Sequence, residues 1–269
     1  MNAQNDRQSF LGKGSAVRLA DTTIAVVGNC GGGSHVAQQL AHIGVGALVL
    51  IDPDHVEAVN LNRMIGSTPA DAANKEWKTA VIGRLVRSIQ PAISVKAFNN
   101  RWQEVAVELR DCSAVVGCVD GFAARGELEA YCRRFLLPYI DVGMDVAEHG
   151  IHFSISGQVI SSLPGRPCMR CLGFLTDGLL AKEAQAYGAA GGRPQVVWPN
   201  GVLASIAVGH VVRLVTPWND EPLCPYLEYD GNRQCVVPSN RLAHVDASGC
   251  RHFPANAVGD PFWKSTPVA

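Results

Sequence analysis

A run of glycines, Gly28-Asn29-Cys30-Gly31-Gly32-Gly33-Ser34, joins the apolar stretch Thr22–Val27 to a helical pattern. Glycines at such a junction let backbone approach a phosphate, and the helix N-terminus adds N–H donors and a positive dipole. Asp52 ends the next apolar run, Ala47–Ile51, at a spacing that suits a carboxylate for a ribose hydroxyl. Cys30 replaces the middle glycine of G-x-G-x-x-G, where a pyrophosphate needs its closest approach, and this weakens a dinucleotide reading. Asp52-Pro53-Asp54 is followed by Asn60-Leu61-Asn62-Arg63 and then by Lys78 at a predicted helix start. Two such cations have no evident use for a nicotinamide but neutralise charge developing on phosphoryl oxygens. As plain surface charge Lys78 is awkward, because a cation at a helix N-terminus opposes the dipole. Asp120 directly follows the run Ala114–Val119, where a carboxylate facing phosphates holds Mg²⁺. The same residue is placed to cap the helix starting near Phe122 and to pair with Arg125 one turn in.

The elements that must position these residues alternate. Strands are predicted at Thr22–Val27, Ala47–Ile51, Ile93–Ala97, Ala114–Val119 and Tyr139–Val142. Helices between them run from Ser34, as cap, to Gly44, from Lys78 to Gln90 before Pro91, and from Phe122 to about Phe135. That pattern means an α/β fold with a Rossmann-like, mostly parallel sheet and helices on both faces. From Gly150 it changes to an antiparallel strand, His152–Ile160, a Pro/Gly/Cys segment, a Gly-rich stretch at Tyr187–Pro194 and a helix at Val202–Val215. Residues 1–20 read as an N-terminal arm, 21–253 as the main domain and 254–269 as an extended tail.

Composition bounds the function. Of 269 residues, 23 are Lys or Arg and 24 Asp or Glu, so a dedicated nucleic-acid binder is disfavoured. Charged residues make up 17% against 47% apolar, a ratio that suggests surface buried beyond one monomer's core. The polar start, MNAQNDRQSF, shows no secretory signal, and the most apolar stretch, Gly201–Val215, is too short for a membrane span and holds His210 and Arg213. Nine cysteines, of which only Cys168 and Cys171 form a C-x-x-C, suit a cytoplasmic chain with free thiols and a metal site.

Together these residues resemble the ThiF/MoeB/HesA adenylyltransferases, bacterial relatives of ubiquitin-activating enzymes. The glycine turn, Asp52, Asn60-x-x-Arg63, Lys78 and Val119-Asp120-Gly121 recur there in this order. Arg7-Gln8 is similar to the family's N-terminal Arg-Gln, whose arginine enters the partner subunit's nucleotide site. Pro167-Cys168-Met169-Arg170-Cys171 is similar to its zinc C-x-x-C, and Asn200–Ala204 to the start of its late helix. The resemblance spans about residues 5–253. It implies a homodimer that adenylates the C-terminal glycine of a ubiquitin-like β-grasp protein with MgATP. Gly28, Gly31, Gly33, Asp52, Asn60, Arg63, Lys78 and Asp120 would bind nucleotide; Arg63, Lys78, Asp120 and the partner's Arg7 would carry catalysis.

The chain departs from the family twice. Some members carry a thioester cysteine in the crossover before the late helix. Thr176–Asn200 holds none, and Val197 stands about where it is expected, so adenylation without an internal thioester there is predicted. The family also closes its zinc site with a second C-x-x-C, pairing segments 164–175 and 249–253. Here Cys250 matches and Phe253 replaces the last thiolate; His252 is an acceptable Zn²⁺ ligand, with Cys224 and Cys235 as alternatives. Two other readings compete with the family's activity: a non-catalytic ATP-binding scaffold for a ubiquitin-like partner, and an NAD-dependent Rossmann oxidoreductase.

Overall fold

The structure, a computed structural model, describes residues 3–185, 194–246, 249–254 and 258–259. Residues 187–193 of the Gly-rich stretch and nearly all of the tail lie outside them. Side chains are described from Arg7 onward.

The N-terminal arm is helical. A 3-10 helix, Ala3–Leu11, leads into α1 (Ser15–Ala20). A first strand, β1 (Thr23–Val27), is followed by α2 (Gly31–Ile43) and β2 (Ala47–Ile51). Next come α3 (Pro69–Ala73), α4 (Lys78–Ile89), β3 (Ser94–Phe98), β4 (Ala114–Gly117), α5 (Phe122–Arg134) and β5 (Tyr139–His149). The remainder is β6 (His152–Ser162), α6 (Asp177–Gln185), α7 (Val197–Val215), β7 (Tyr226–Asp230) and β8 (Cys235–Pro238).

All eight strands join one sheet in the order β3-β2-β1-β4-β5-β6-β7-β8. The first five are parallel and the last three antiparallel. The expected α/β architecture and its antiparallel extension are therefore both present. Strands β1 and β2 are buried on both faces, which explains their unbroken apolar sequences. Ile24, Val26, Leu48 and Leu50 face α2, α4 and α7, packing with Val36, Leu40, Ile82, Val86 and Val211. Ala25, Val27, Val49 and Ile51 face the other layer, where Leu109, Leu128, Cys132, Met169 and Leu172 cover them. Edge strand β3 is largely exposed, and its Lys96 is paired with Glu108 at 3.2 Å. Among the described residues no helix is long and apolar enough to cross a membrane.

Three local expectations are corrected. Ser34 does not cap α2; that helix begins at Gly31 after Cys30, and Ser34 lies inside it. The late helix begins at Val197, five residues before Val202. Pro199 permits this, since the N–H it lacks would have no intrahelical partner in the first turn. Finally, β5 continues beyond Val142 to His149 and returns as β6 through Gly150, whose φ of 66° is left-handed.

Candidate nucleotide site and metal centre

Beyond the carboxyl ends of β1 and β4, and beside the middle of β5, one pocket is lined by Cys30, Gly31, Gly32, Arg63, Lys78, Cys118, Asp120, Arg125, Val142, Gly143, Met144, Gln195 and Asn200. Carboxyl ends are where open α/β sheets bind ligands. Four of the expected site residues, Gly31, Arg63, Lys78 and Asp120, therefore meet there. Gly28 and Gly33 do not line it. Gly28 has φ 88°, and a Cβ on it would stand 2.4 Å from the Cys118 carbonyl oxygen. A Cβ on Gly33 would stand 1.8 Å from the Gly28 carbonyl oxygen. Both glycines shape the turn so that the first amides of α2 are presented to the pocket.

Asp52 and Asn60 lie behind the lining. The buried Asp52 carboxylate accepts the Asn29 N–H at 2.6 Å and the Asp54 N–H at 2.9 Å, which pins the glycine turn to the end of β2. Burial pushes its carboxyl upward, against the opposing charge of Lys78. Asn60 Oδ1 accepts the Glu57 N–H at 2.9 Å, and its carbonyl accepts those of Arg63 and Met64. Asn60 thus builds the turn that delivers Arg63. Ser34 serves the same loop, its Oγ accepting the Ile65 N–H at 3.0 Å.

Lys78 opens α4, and its charge at that N-terminus is compensated. Its Nζ lies 2.7 Å from Asp54 and 3.9 Å from Asp52. Burial disfavours the ammonium, yet the two carboxylates hold its pKa above the ordinary value. Burial likewise pushes the neighbouring Cys30 thiol up.

On the opposite wall Asp120 is exposed and does not cap α5. That role belongs to Glu183 of α6, whose oxygens accept the N–H groups of Phe122 and Ala123. Nor does Arg125 ion-pair with Asp120. Its guanidinium donates to the fully buried Asp141 at 2.6 Å. Gln195 and Asn200 close the pocket from the start of α7, and Asn62 donates to the Gln195 carbonyl at 3.0 Å. Gly143, Met144 and Gln195 were not singled out from sequence. The signal for the first two was their position at the end of the buried run of β5, Gly143 closing it and Met144 following it.

Arg7 is not brought to this pocket. Its arm is anchored by Leu11 in the core and by Phe10 against Trp218, ring centroids 6.2 Å apart, beyond the C-terminal end of α7. Asn200 is at the other end of that helix, about 20 Å away at 1.5 Å per residue.

A second constellation unites the four expected metal ligands. The Cys168, Cys171 and Cys250 sulfurs and a His252 ring nitrogen all lie within 4.8 Å of one another. Cys168–Cys171 is 3.6 Å, Cys171–Cys250 is 3.7 Å, and His252 Nδ1 lies 3.5 and 3.3 Å from Cys168 and Cys171. A tetrahedral zinc with Zn–S near 2.3 Å separates sulfurs by about 3.8 Å and sulfur from imidazole nitrogen by about 3.6 Å. The donor set fits Zn²⁺. Cys224 instead meets the Tyr226 carbonyl and Cys235 lies on β8, so neither belongs to this cluster. Phe253 lies beneath the Arg133 guanidinium, 5.5 Å from ring centroid to carbon. The knuckle is also clamped to α5. Glu129 accepts the Met169 N–H at 2.7 Å, and Arg133 donates to the carbonyls of Leu163 and Arg166.

A model of the ThiF family matches residues 3–251. The SAMP-activating enzyme E1 of Haloferax volcanii is 32% identical over 157 residues, 58% of this chain and 54% of that enzyme. Ubiquitin-like modifier-activating enzyme 5 of Drosophila erecta is 30% identical over 169 residues, 57% of this chain and 40% of that protein. These alignments span about half the length of each relative or less. The molybdopterin-synthase adenylyltransferase of Escherichia coli K12 is 26% identical over 216 residues, 79% of this chain and 80% of that enzyme. In three dimensions the chain matches E. coli MccB, solved with ATP, at a TM-score of 0.74 and 20% identity, over 90% of this chain and 72% of MccB.

Proposed function

The chain belongs to the ThiF family, and on that footing we propose that it is an ATP-dependent adenylyltransferase for the C-terminal carboxylate of a ubiquitin-like β-grasp protein. The observation that carries this reading is one pocket with Arg63, Lys78 and the α2 amides on one wall and Asp120 on the other. A substrate carboxylate oxygen attacks the α-phosphorus of ATP, the bond to the β-phosphate oxygen breaks, and pyrophosphate leaves with the electron pair. No general base is required, since the carboxylate is ionised at neutral pH. The chain supplies position and charge. Arg63 and Lys78 neutralise phosphoryl oxygens, and Asp52, which pins the glycine turn from behind, is the carboxylate that would serve the ribose. Asp120 accepts no hydrogen bond from a described residue and is the side chain that would hold Mg²⁺, which when bound offsets charge on the leaving pyrophosphate.

Names of relatives support the partner class: one activates SAMP, one a ubiquitin-like modifier, and one is an adenylyltransferase of molybdopterin synthase. With Val197 beginning α7 where a thioester cysteine is expected in some members, the product is released as acyl-adenylate. Arg7, anchored away from its own pocket, serves that of a second subunit in a homodimer. Six free thiols, with three further cysteines in the Cys₃His zinc site, suit a cytoplasmic protein.

ATP–pyrophosphate exchange with a β-grasp protein ending in Gly-Gly tests the reading. Partner-dependent exchange is expected, and Lys78→Ala or Asp120→Ala should abolish it. ATP binding without exchange would favour a scaffold, and reduction of NAD an oxidoreductase. A partner adduct cleaved by thiols would overturn the thioester-free route.

A further inference from the structure

We infer that Arg125 is the group that receives and orients the substrate carboxylate, on the wall of the pocket opposite the triphosphate. This rests on the proposed adenylation and adds a residue to it. The triphosphate wall comes from the β1–α2 turn and the loops after β2. The facing wall, Asp120, Arg125, Val142, Gly143 and Met144, comes from β4, α5 and β5. In the sheet order β2-β1-β4-β5, β5 lies two strand spacings from β1, about 10 Å. Lys78 and Arg63 serve the phosphates from the first wall. A second anion arriving beside them from the β5 side needs its own fixed cation.

Arg125 is built for that. Its NH1 donates to Asp141 Oδ2 at 2.6 Å and to the Val142 carbonyl at 3.1 Å. Asp141 is fully buried and also accepts from the Tyr139 hydroxyl at 2.9 Å and from Gln158 at 3.3 Å. The network fixes the plane of the guanidinium from behind. Two glycines make room for it. A Cβ on Gly143 would stand 2.6 Å from Arg125 NH2 and 2.4 Å from Gln158 Nε2, and one on Gly117 would stand 2.4 Å from the Tyr139 hydroxyl. The NH2 group makes no hydrogen bond to a described residue and lies against Gly143, itself part of the lining. A guanidinium held at one nitrogen and open at the other matches a planar carboxylate, as a lysine would not.

The test uses the full chain saturated with the non-hydrolysable analogue AMPCPP, and two probes, N-acetyl-Gly-Gly and its C-terminal amide. The wild type should bind the carboxylate at least tenfold more tightly than the amide. Arg125→Gln combined with Asp141→Asn, which removes both charges of the buried pair, should reduce that preference below twofold with AMPCPP affinity intact. Arg125→Lys, which keeps the ion pair, should show an intermediate preference. Independently of any substitution, the guanidinium ¹⁵N resonance of Arg125 should shift with the carboxylate probe and not with the amide. Equal binding of the two probes by the AMPCPP-loaded wild type, or a folded double variant that keeps the preference, overturns the inference. Failure to bind AMPCPP at all would instead overturn the adenylation reading.

Discussion

The Glu183 carboxylate, on α6, accepts the backbone N–H of Phe122 at 2.8 Å, at the first turn of α5. Its second oxygen accepts the Ala123 N–H at 2.7 Å. A residue from the crossover thus caps the helix that follows Asp120 and Gly121, a task that falls more often to a residue adjacent in sequence. Helix α6 has no buried residue, so this contact and the Arg170–Asp177 pair are among the few that hold it.

Glu183→Ala should therefore free α6 while leaving the domain folded. Amide hydrogen exchange across residues 177–185 and in the first turn of α5 is expected to rise. Global stability should fall by about 1 kcal/mol, the usual worth of a cap. Protection unchanged at both places would show that α6 is held by something else.

Lys78→Met should cost exchange activity more than a hundredfold, as removal of a charge-stabilising donor does. It should also change the pH dependence of stability. Burial already raises the Asp52 carboxyl, and Lys78 partly offsets that. Without Lys78 the folded-state pKa moves further above the unfolded value. A group shifted up in this way binds its proton more tightly in the folded state, so the variant's deficit should shrink as pH falls from 7 to 5. Urea melts at the two pH values measure it; a constant deficit would contradict the coupling.

Asp71 gives the opposite sign. The Arg84 guanidinium and Thr68 lower its carboxyl to about 2, with Arg84 NH1 and NH2 each 2.8 Å away. That stability is present above the unfolded value near 4 and is lost as pH falls toward about 2. Arg84 is half exposed, so the contribution is about 1–2 kcal/mol rather than the full shift. Asp71→Asn should lower stability by that amount at pH 7 and flatten the acid limb.

The metal centre is checked by composition and by exchange of ligands. Purified protein should carry about one zinc per chain, and a strong chelator should lower Tm. His252→Ala should lose most of the metal, whereas His252→Cys should retain it as a Cys₄ site. Full zinc content in the alanine variant would remove His252 from the ligand set.

Much of this architecture was legible because burial on both faces writes itself as uninterrupted apolar strands, as at Thr23–Val27 and Ala47–Ile51. Motifs whose geometry is local were legible too: the glycine turn, Asp120 at a strand end, Cys168 and Cys171. What escaped depends on distant partners. Arg125 lies five positions from Asp120, but its partner is the buried Asp141, sixteen positions further along the chain. His252 was one of several possible ligands until the chain brought it back to Cys168. Helix α3 escaped although it carries its own signal, Thr68 and Asp71 forming a capping box around Pro69. It is only five residues long, too short for periodicity to register.

The cysteine–histidine cluster has a topological consequence. Cys171 and Cys250 are 79 positions apart, and between them run α6, α7, β7 and β8. A metal there turns this third of the chain into a closed ring, and closing a ring of that size restricts the unfolded chain by an entropy that grows only slowly with length. Proteolytic nicks within the crossover would then leave the two fragments fastened together until the zinc is stripped.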